Sequence, residues 1–269
     1  CDNFVASMGL DGSMRVFDPD DWSFRDYATG SGLAGGGVFL GPNSLAASNR
    51  GGVPCAVSED GVVVTAGYSP IIRLWGAGDF GSISSLRADG DNDPIASLAI
   101  SDDGHFVASV DVGGTLRVWN VALKLPVLER EAGAALTCVA LNPVARQVAF
   151  GNVGGEVEVW AFSEEPDENA GGLTAKFVER AADTLYEVFG MPRLDRVGRL
   201  DEFEGRVNAI SFSADGLILA TAREDGEVHL WAPAPLGMDE GLRQGYALRN
   251  RLRGHSLGAT SLAFSWDNL

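Results

Sequence analysis

A chain of 269 residues with 45% hydrophobic and 21% charged residues can bury a sizeable core, which argues against intrinsic disorder. Its formal charge of −17 opposes tight contact with a phosphate backbone, so direct nucleic-acid binding is set aside. Gly, Asp or Arg interrupts every apolar run before the roughly 18 residues a helical membrane span needs, and no basic-then-apolar leader opens the sequence, so secretion and membrane insertion find no support.

The chain opens at Cys1 inside a strand-like stretch, CDNFVAS, and so reads as an excerpt of a longer protein. SMGLDGSMRVFD follows, two strand-like runs around Asp11-Gly12. Residues 18–54 are dominated by Gly, Ser, Ala and Asn and read as a long loop insertion, or as a place where chain is missing. From there the pattern is regular. Apolar runs close on an aromatic in LWG (Leu74, Trp75, Gly76), VWN (Val118, Trp119, Asn120), VWA (Val159, Trp160, Ala161) and LWA (Leu230, Trp231, Ala232), as VFD (Val16, Phe17, Asp18) does earlier. A turn sits 14 or 15 residues before each Trp, at Asp60-Gly61, Asp103-Gly104, Val144-Ala145 and Asp215-Gly216. Asp-Gly between apolar runs signals a hairpin because both residues tolerate positive φ. The unit is fullest at SFSADGLILATAREDGEVHLW, where Val207, Ala209, Ile210 and Phe212 precede one turn and Val228, Leu230 and Trp231 follow another.

Trp75, Trp119 and Trp160 lie 44 and 41 residues apart, the period of a four-stranded propeller blade. With the turns FSADG and ISDDG, the runs SVDVGGTLRVWN and TAREDGEVHLW, and Gly254-His255, the chain resembles the WD-repeat β-propeller family over nearly its whole length. The expected fold is therefore all-β: four-stranded antiparallel blades, about five of them visible over residues 1–269, part of a ring that the resemblance implies has seven. The family's polar network, a Gly-His histidine reaching a turn aspartate, is thin here. Asp11 and Asp225 fit the aspartate position, Ser69, Gly113 and Gly154 replace it, and His255 fits the histidine position. The closing Trp residues are expected to pack in the core.

Trp160 and Trp231 are 71 residues apart, and the excess, 163–199, reads as an acidic linker, SEEPDENAGG, followed by a helical insertion. In 173–189 the residues Leu173, Phe177, Val178, Ala181, Leu185, Val188 and Phe189 fall on one helical face, and Gly190 and Pro192 stop it. Such a helix either packs over the propeller or docks a partner through Phe177, Val178, Leu185 and Phe189. Residues 200–207 are expected to form the next outer strand and turn, and YALRNRLRG another, basic, outer strand.

Chemistry finds little foothold. Cys1, Cys55 and Cys138 are far apart and read as buried thiols of a reducing compartment, without the CxxC spacing of a zinc or dithiol site. His105, His229 and His255 belong to no nucleophile or metal motif, and the recurring aspartates are turn residues. No cofactor, metal, small-molecule substrate or catalytic residue is expected. The resemblance implies instead a non-catalytic scaffold, one propeller subunit of a multiprotein assembly, with several protein partners and an acidic surface that attracts basic segments. Ciliary or axonemal complexes, intraflagellar transport particles and ribosome-assembly complexes are the kinds of assembly it implies, in the cytoplasm, with the cilium, cytoskeleton and nucleus open. The alternative is a reader of peptides or modified residues, such as a ubiquitin-ligase substrate-recognition subunit. Arg206, near a blade entry, and Arg223, beside an inter-strand turn, are its candidate residues.

Overall fold

The computed structural model describes residues 5–8, 13–17, 23–28, 54–58, 61–66, 70–76, 82–87, 93–166, 192–200, 205–234 and 245–265. Among the described residues every regular element is a strand. A first sheet orders β1 (Val5–Met8), β2 (Ser13–Phe17) and β3 (Phe24–Ala28). Four four-stranded antiparallel sheets follow, each a meander in chain order. The second holds β4 (Cys55–Val57), β5 (Val63–Thr65), β6 (Ile71–Trp75) and β7 (Ser82–Arg87). The third holds β8 (Ile95–Ile100), β9 (Phe106–Asp111), β10 (Thr115–Asn120) and β11 (Leu125–Glu131). The fourth is β12 (Leu136–Leu141), β13 (Gln147–Asn152), β14 (Val157–Pro166) and β15 (Pro192–Leu200), and the fifth β16 (Val207–Phe212), β17 (Leu219–Arg223), β18 (Val228–Pro233) and β19 (Tyr246–Leu252).

The first strands of successive sheets touch, β4 with β8, β8 with β12 and β12 with β16, so these four sheets fan outward from shared inner edges as propeller blades. The turns form where the Asp-Gly pairs lie: Gly61, Gly104 and Gly216 adopt φ of 79°, 68° and 68°, a region closed to most side chains. One register shift recurs in all four blades. The fourth strand takes in an extra residue between the partners of Leu74 and Trp75, Val118 and Trp119, Val159 and Trp160, and Leu230 and Trp231. Such a bulge increases local twist and helps the blade coil.

Three apolar layers fill the gaps between blades. Trp119 and Val107 pack with Val64, Ile72 and Leu86, Phe150 and Leu136 with Leu116 and Val118, and Trp231 with Val159 and Leu200. Each fully buried aliphatic side chain in these layers contributes about 1.5–3 kcal/mol. Most of the fold's stability therefore lies between blades, not within them. Residues Ala259, Leu262 and Phe264 lie against Ala220, Ala222 and Val228 of the fifth blade.

Several expectations shift in detail. β3 falls inside 18–54 and pairs with β2, so the start of that stretch is strand. β14 runs on to Pro166 and β15 begins at Pro192, so both ends of 163–199 are strand, joined through the Pro166–Pro192 pair. The outer strand expected at 200–207 is instead β15, eight residues earlier, because its register is set by pairing with β14 from Trp160 outward. The helix expected at 173–189, with Phe177, Val178, Leu185 and Phe189, lies outside the described residues. Cys138 is buried, as expected, but Cys55 is exposed, because β4 is short and turns outward-facing positions to solvent at both its ends.

Candidate interaction faces

In a four-strand antiparallel meander, the turns after the first and third strands lie at one end and the turn after the second lies at the other. The propeller thus has two faces. Face one carries the turns between first and second strands, near residues 58–62, 101–105, 142–146 and 213–217. Face two carries the turns between second and third strands together with the connections from one blade to the next, and backbone bonds such as Val112 N–H to Pro94 O (3.1 Å) and Glu224 N–H to Arg206 O (3.1 Å) tie those together.

On face one, local sequence dictates the turns. The Ser101 hydroxyl donates to Asp103 (2.5 Å) and accepts the Phe106 N–H (2.9 Å), while Asp103 accepts the His105 N–H (3.0 Å). Ser213 and Asp215 repeat this with Ile218 and Leu217 at 2.9 and 3.0 Å. Desolvation raises the Asp103 carboxyl, but the Ser101 hydroxyl and the His105 N–H and side chain together hold it below the ordinary range. The Ser213 hydroxyl, then the Leu217 N–H, hold Asp215 low as well. The fourth blade departs from this pattern. Asn142 takes the serine's place and accepts the N–H groups of Val144 (3.0 Å) and Ala145 (2.9 Å), leaving Val144 where Asp103 and Asp215 sit in their blades. Asn142 also donates to Gly216 O (3.0 Å), clamping this turn to the next blade.

Between the turns of the third and fourth blades opens a cavity of about 560 Å³. Phe106 and Phe162, their ring centroids 5.3 Å apart at 64°, line it from within. Asp102 and Asp103 stand on one side and Val144 and Arg146 on the other, with the Arg146 guanidinium 5.4 Å from the Phe106 ring centre.

Polar groups inside the blades hold one another. The indole N–H of Trp75 donates to Thr65 (2.9 Å), that of Trp119 to Ser109 (2.9 Å) and that of Trp231 to Thr221 (3.2 Å), each acceptor ten residues before its Trp. In the fourth blade Phe150 occupies that place. Trp160 donates instead to Glu158 (2.8 Å) and lies 4.3 Å beneath Arg130. In the third blade Arg117 bridges Asp111 (3.0 Å) and Glu129 (3.1 Å), with only 8% of the arginine side chain and 1% of that of Asp111 exposed. His229, itself buried, meets Glu227 at 2.9 Å.

These groups went unread in the sequence. The Ser/Thr at ten residues before Trp is a constant spacing that alignment on the Trp exposes. The Asp111–Arg117–Glu129 cluster offered no such cue, since Glu129 joins it only across β10 and β11, where it lies opposite Arg117.

The candidate residues Arg206 and Arg223 do come together on face two, as β16 begins with Val207 opposite Arg223. Arg223 is buried (7% exposed) and paired with Asp225 at 3.3 Å, so that carboxylate faces an arginine and not His255, which is exposed. Arg206 is half-buried, its charge slightly offsetting the burial that pushes the Cys138 thiol up to about 12. A reader of modified residues needs accessible guanidinium groups, and Arg223 does not supply one. Among the described residues, no group of three or more His, Cys, Asp and Glu is placed to hold a metal ion.

The sequence profile of the WD domain, G-beta repeat family matches residues 81–120 and 196–232. Each match begins in a fourth strand and runs through the first three strands of the next blade. Telomerase protein component 1 of Rattus norvegicus is 24% identical over 138 residues, 51% of this chain and 4% of that protein. Target of rapamycin complex subunit LST8 of Bos taurus is 23% identical over 109 residues, covering 40% of this chain and 33% of the relative. WD repeat-containing protein 1 of Xenopus tropicalis is 23% identical over 157 residues, 51% of this chain and 26% of its own length. The chain thus spans at most a third of these relatives. Among solved structures, a chain of the mitotic checkpoint complex superposes with a TM-score of 0.66 at 15% identity, over 98% of this chain and 66% of that one.

Proposed function

We propose that this chain, which carries two WD-repeat matches and stacks four-stranded propeller blades, is a non-catalytic protein–protein interaction scaffold of the WD-repeat family, one subunit of a multiprotein assembly. The observation that carries the reading is the fate of its polar side chains. Those recurring from blade to blade hold turns, as Asp103 and Asp215 do, or bond the closing tryptophans, as Thr65, Ser109 and Thr221 do. They maintain a rigid body whose turns differ from blade to blade, and differing turns on a rigid frame suit recognition of several partners. The naming of two similar proteins, a complex subunit and a checkpoint-complex chain, supports the same reading.

The cytoplasm is the proposed compartment. Ciliary or axonemal, intraflagellar-transport and ribosome-assembly complexes are the candidate assemblies. Mild affinity purification of the full-length protein from its native source, followed by mass spectrometry, tests the proposal. The expected result is a reproducible set of proteins in fixed ratio, whose identities choose among these assemblies. Recovery of the chain alone at every ionic strength would sink the scaffold reading.

A further inference from the structure

We propose that the cavity between the third- and fourth-blade turns on face one is a docking site for an extended segment of a partner protein that carries a basic residue beside a large apolar anchor. The proposal rests on the scaffold reading and adds where a partner binds and what its chemistry is.

The first observation is a break in the repeat. At the second position after the Ser or Asn that opens each turn, the sequence has Asp60, Asp103 and Asp215 in three blades and Val144 in the fourth. In the third and fifth blades that carboxylate caps its own turn. The fourth-blade turn does not need it, because Asn142 accepts the same kind of backbone N–H groups from the other side. The position is thereby released from the fold, and what stands there is a valine left 72% exposed. Exposing a β-branched aliphatic at a turn gives the fold nothing, since an aspartate serves the corresponding turns of the third and fifth blades.

The second observation is the cavity beside it. Its 560 Å³ falls in the range that accommodates a few side chains. Phe106 and Phe162, each only 5% exposed, form its floor, and Val144 and Pro143 carry the apolar surface that an anchor would meet at the rim. The rim sets a direction. Asp102 and Asp103 are both exposed, and Asp103 is held ionised by its hydrogen bonds, so a cation is favoured on the third-blade side. The Arg146 guanidinium on the opposite side repels a second cation and favours the apolar part or a carbonyl there. With a formal charge of −17 on the chain, basic segments are also drawn in from a distance.

The test uses the full-length protein and an array of twelve-residue peptides with a fixed Arg two positions from a fixed Leu or Phe, read by fluorescence anisotropy at low and physiological salt. Two variants probe the site. Val144→Asp restores the residue type that the sister blades carry, so the fold is kept, and Asp102→Asn removes one rim charge without changing shape. Val153→Asp, in an exposed turn of the same blade on face two, is the control.

The expected result is saturable binding by some members, lost at least tenfold with Val144→Asp and severalfold with Asp102→Asn, weakened by salt, and unchanged with Val153→Asp. Replacing the peptide Arg by Glu abolishes it. Binding that ignores both variants overturns the inference, as does an array with no binders. Binding seen only after removal of residues 167–191 also overturns it, because the occupant is then this chain itself. Affinity purification with the same variants separates the two proposals. Partners that co-purify equally with wild type and Val144→Asp leave the scaffold reading standing and remove this site.

Discussion

Replacing Asp111 by Ala is the sharpest probe of how the blades are held, because it strands the Arg117 guanidinium in a place where only 8% of its side chain reaches solvent. Removing one member of a buried ion pair costs about 3–5 kcal/mol, most of it the desolvated charge left behind. Two features adjust that figure. Glu129 still reaches Arg117 at 3.1 Å, which lowers the cost. Against this, Asp111 also accepts the Thr115 N–H at 2.8 Å, and an orphaned turn amide adds about 1 kcal/mol. A loss of about 3–4 kcal/mol is expected, or about 6–16 °C in Tm at roughly 2–4 °C per kcal/mol. Urea unfolding followed by tryptophan fluorescence measures it, with Trp119 two residues from Arg117 in β10 as reporter. Asp111→Ala with Arg117→Met removes the stranded charge as well and is expected to recover at least half of the loss. A single substitution costing less than about 1 kcal/mol, or a double variant no better than the single, would refute the claim that the cost resides in an uncompensated buried charge.

Other outcomes follow from the same geometry. Ser109→Ala leaves the Trp119 indole N–H without its 2.9 Å acceptor and is expected to cost about 1–2 kcal/mol, whereas Phe150→Thr, which installs the missing hydroxyl position in the fourth blade, is expected to destabilise by opening a cavity; urea midpoints for both variants check this. Gly216 and Gly133 both have positive φ, but an added Cβ meets Asn142 Oδ1 at 2.3 Å in the first and nothing within 4 Å in the second, so Gly216→Ala is expected to lower Tm more than Gly133→Ala. Asp103 and Asp215 titrate below ordinary carboxylates, so their contribution is present above about pH 4 and is lost as pH falls through their lowered folded values. Thermal melts from pH 2 to 6 should show that acid limb flattened in the Ser101→Ala, Ser213→Ala double variant. The Cys138 thiol, raised to about 12 by burial, favours the folded state increasingly less as pH climbs from the unfolded value near 9 toward 12. At neutral pH, alkylation with peptide mapping should label exposed Cys55 in the native protein and Cys138 only after unfolding; prompt native labelling of Cys138 would contradict its burial.

Strands, turns and blade period were legible in the amino-acid order because each rests on local rules. Asp-Gly pairs demand positive φ, alternation marks a face, and a Trp recurring about every 42 residues counts blades. The outer strand of the fourth blade was misplaced because a fourth strand carries little pattern of its own. Its position follows from pairing with β14 across an insertion, and only the ladder shows that Trp160 faces Arg196. The surroundings of Arg223 were hidden from the sequence on the same ground, since Asp225 folds back across the turn to pair with it.

What the sequence determined by itself is therefore the repeat: four-stranded units, their turns, and Trp75, Trp119 and Trp231 as core. Trp160, expected there too, is only half-buried because Phe150 fills the place of its hydroxyl partner. Tertiary structure decided everything that depends on two blades meeting. It brought Asn142 onto Gly216, set Arg130 over Trp160, and opened between Phe106 and Phe162 a cavity whose walls come from residues some 60 positions apart. The physical reason is that a repeat is specified by local periodicity, whereas a surface between repeats is specified by which side chains are left over once each turn has satisfied its own backbone. Val144 is such a leftover, and nothing in its immediate sequence says that Asn142 has already done the capping.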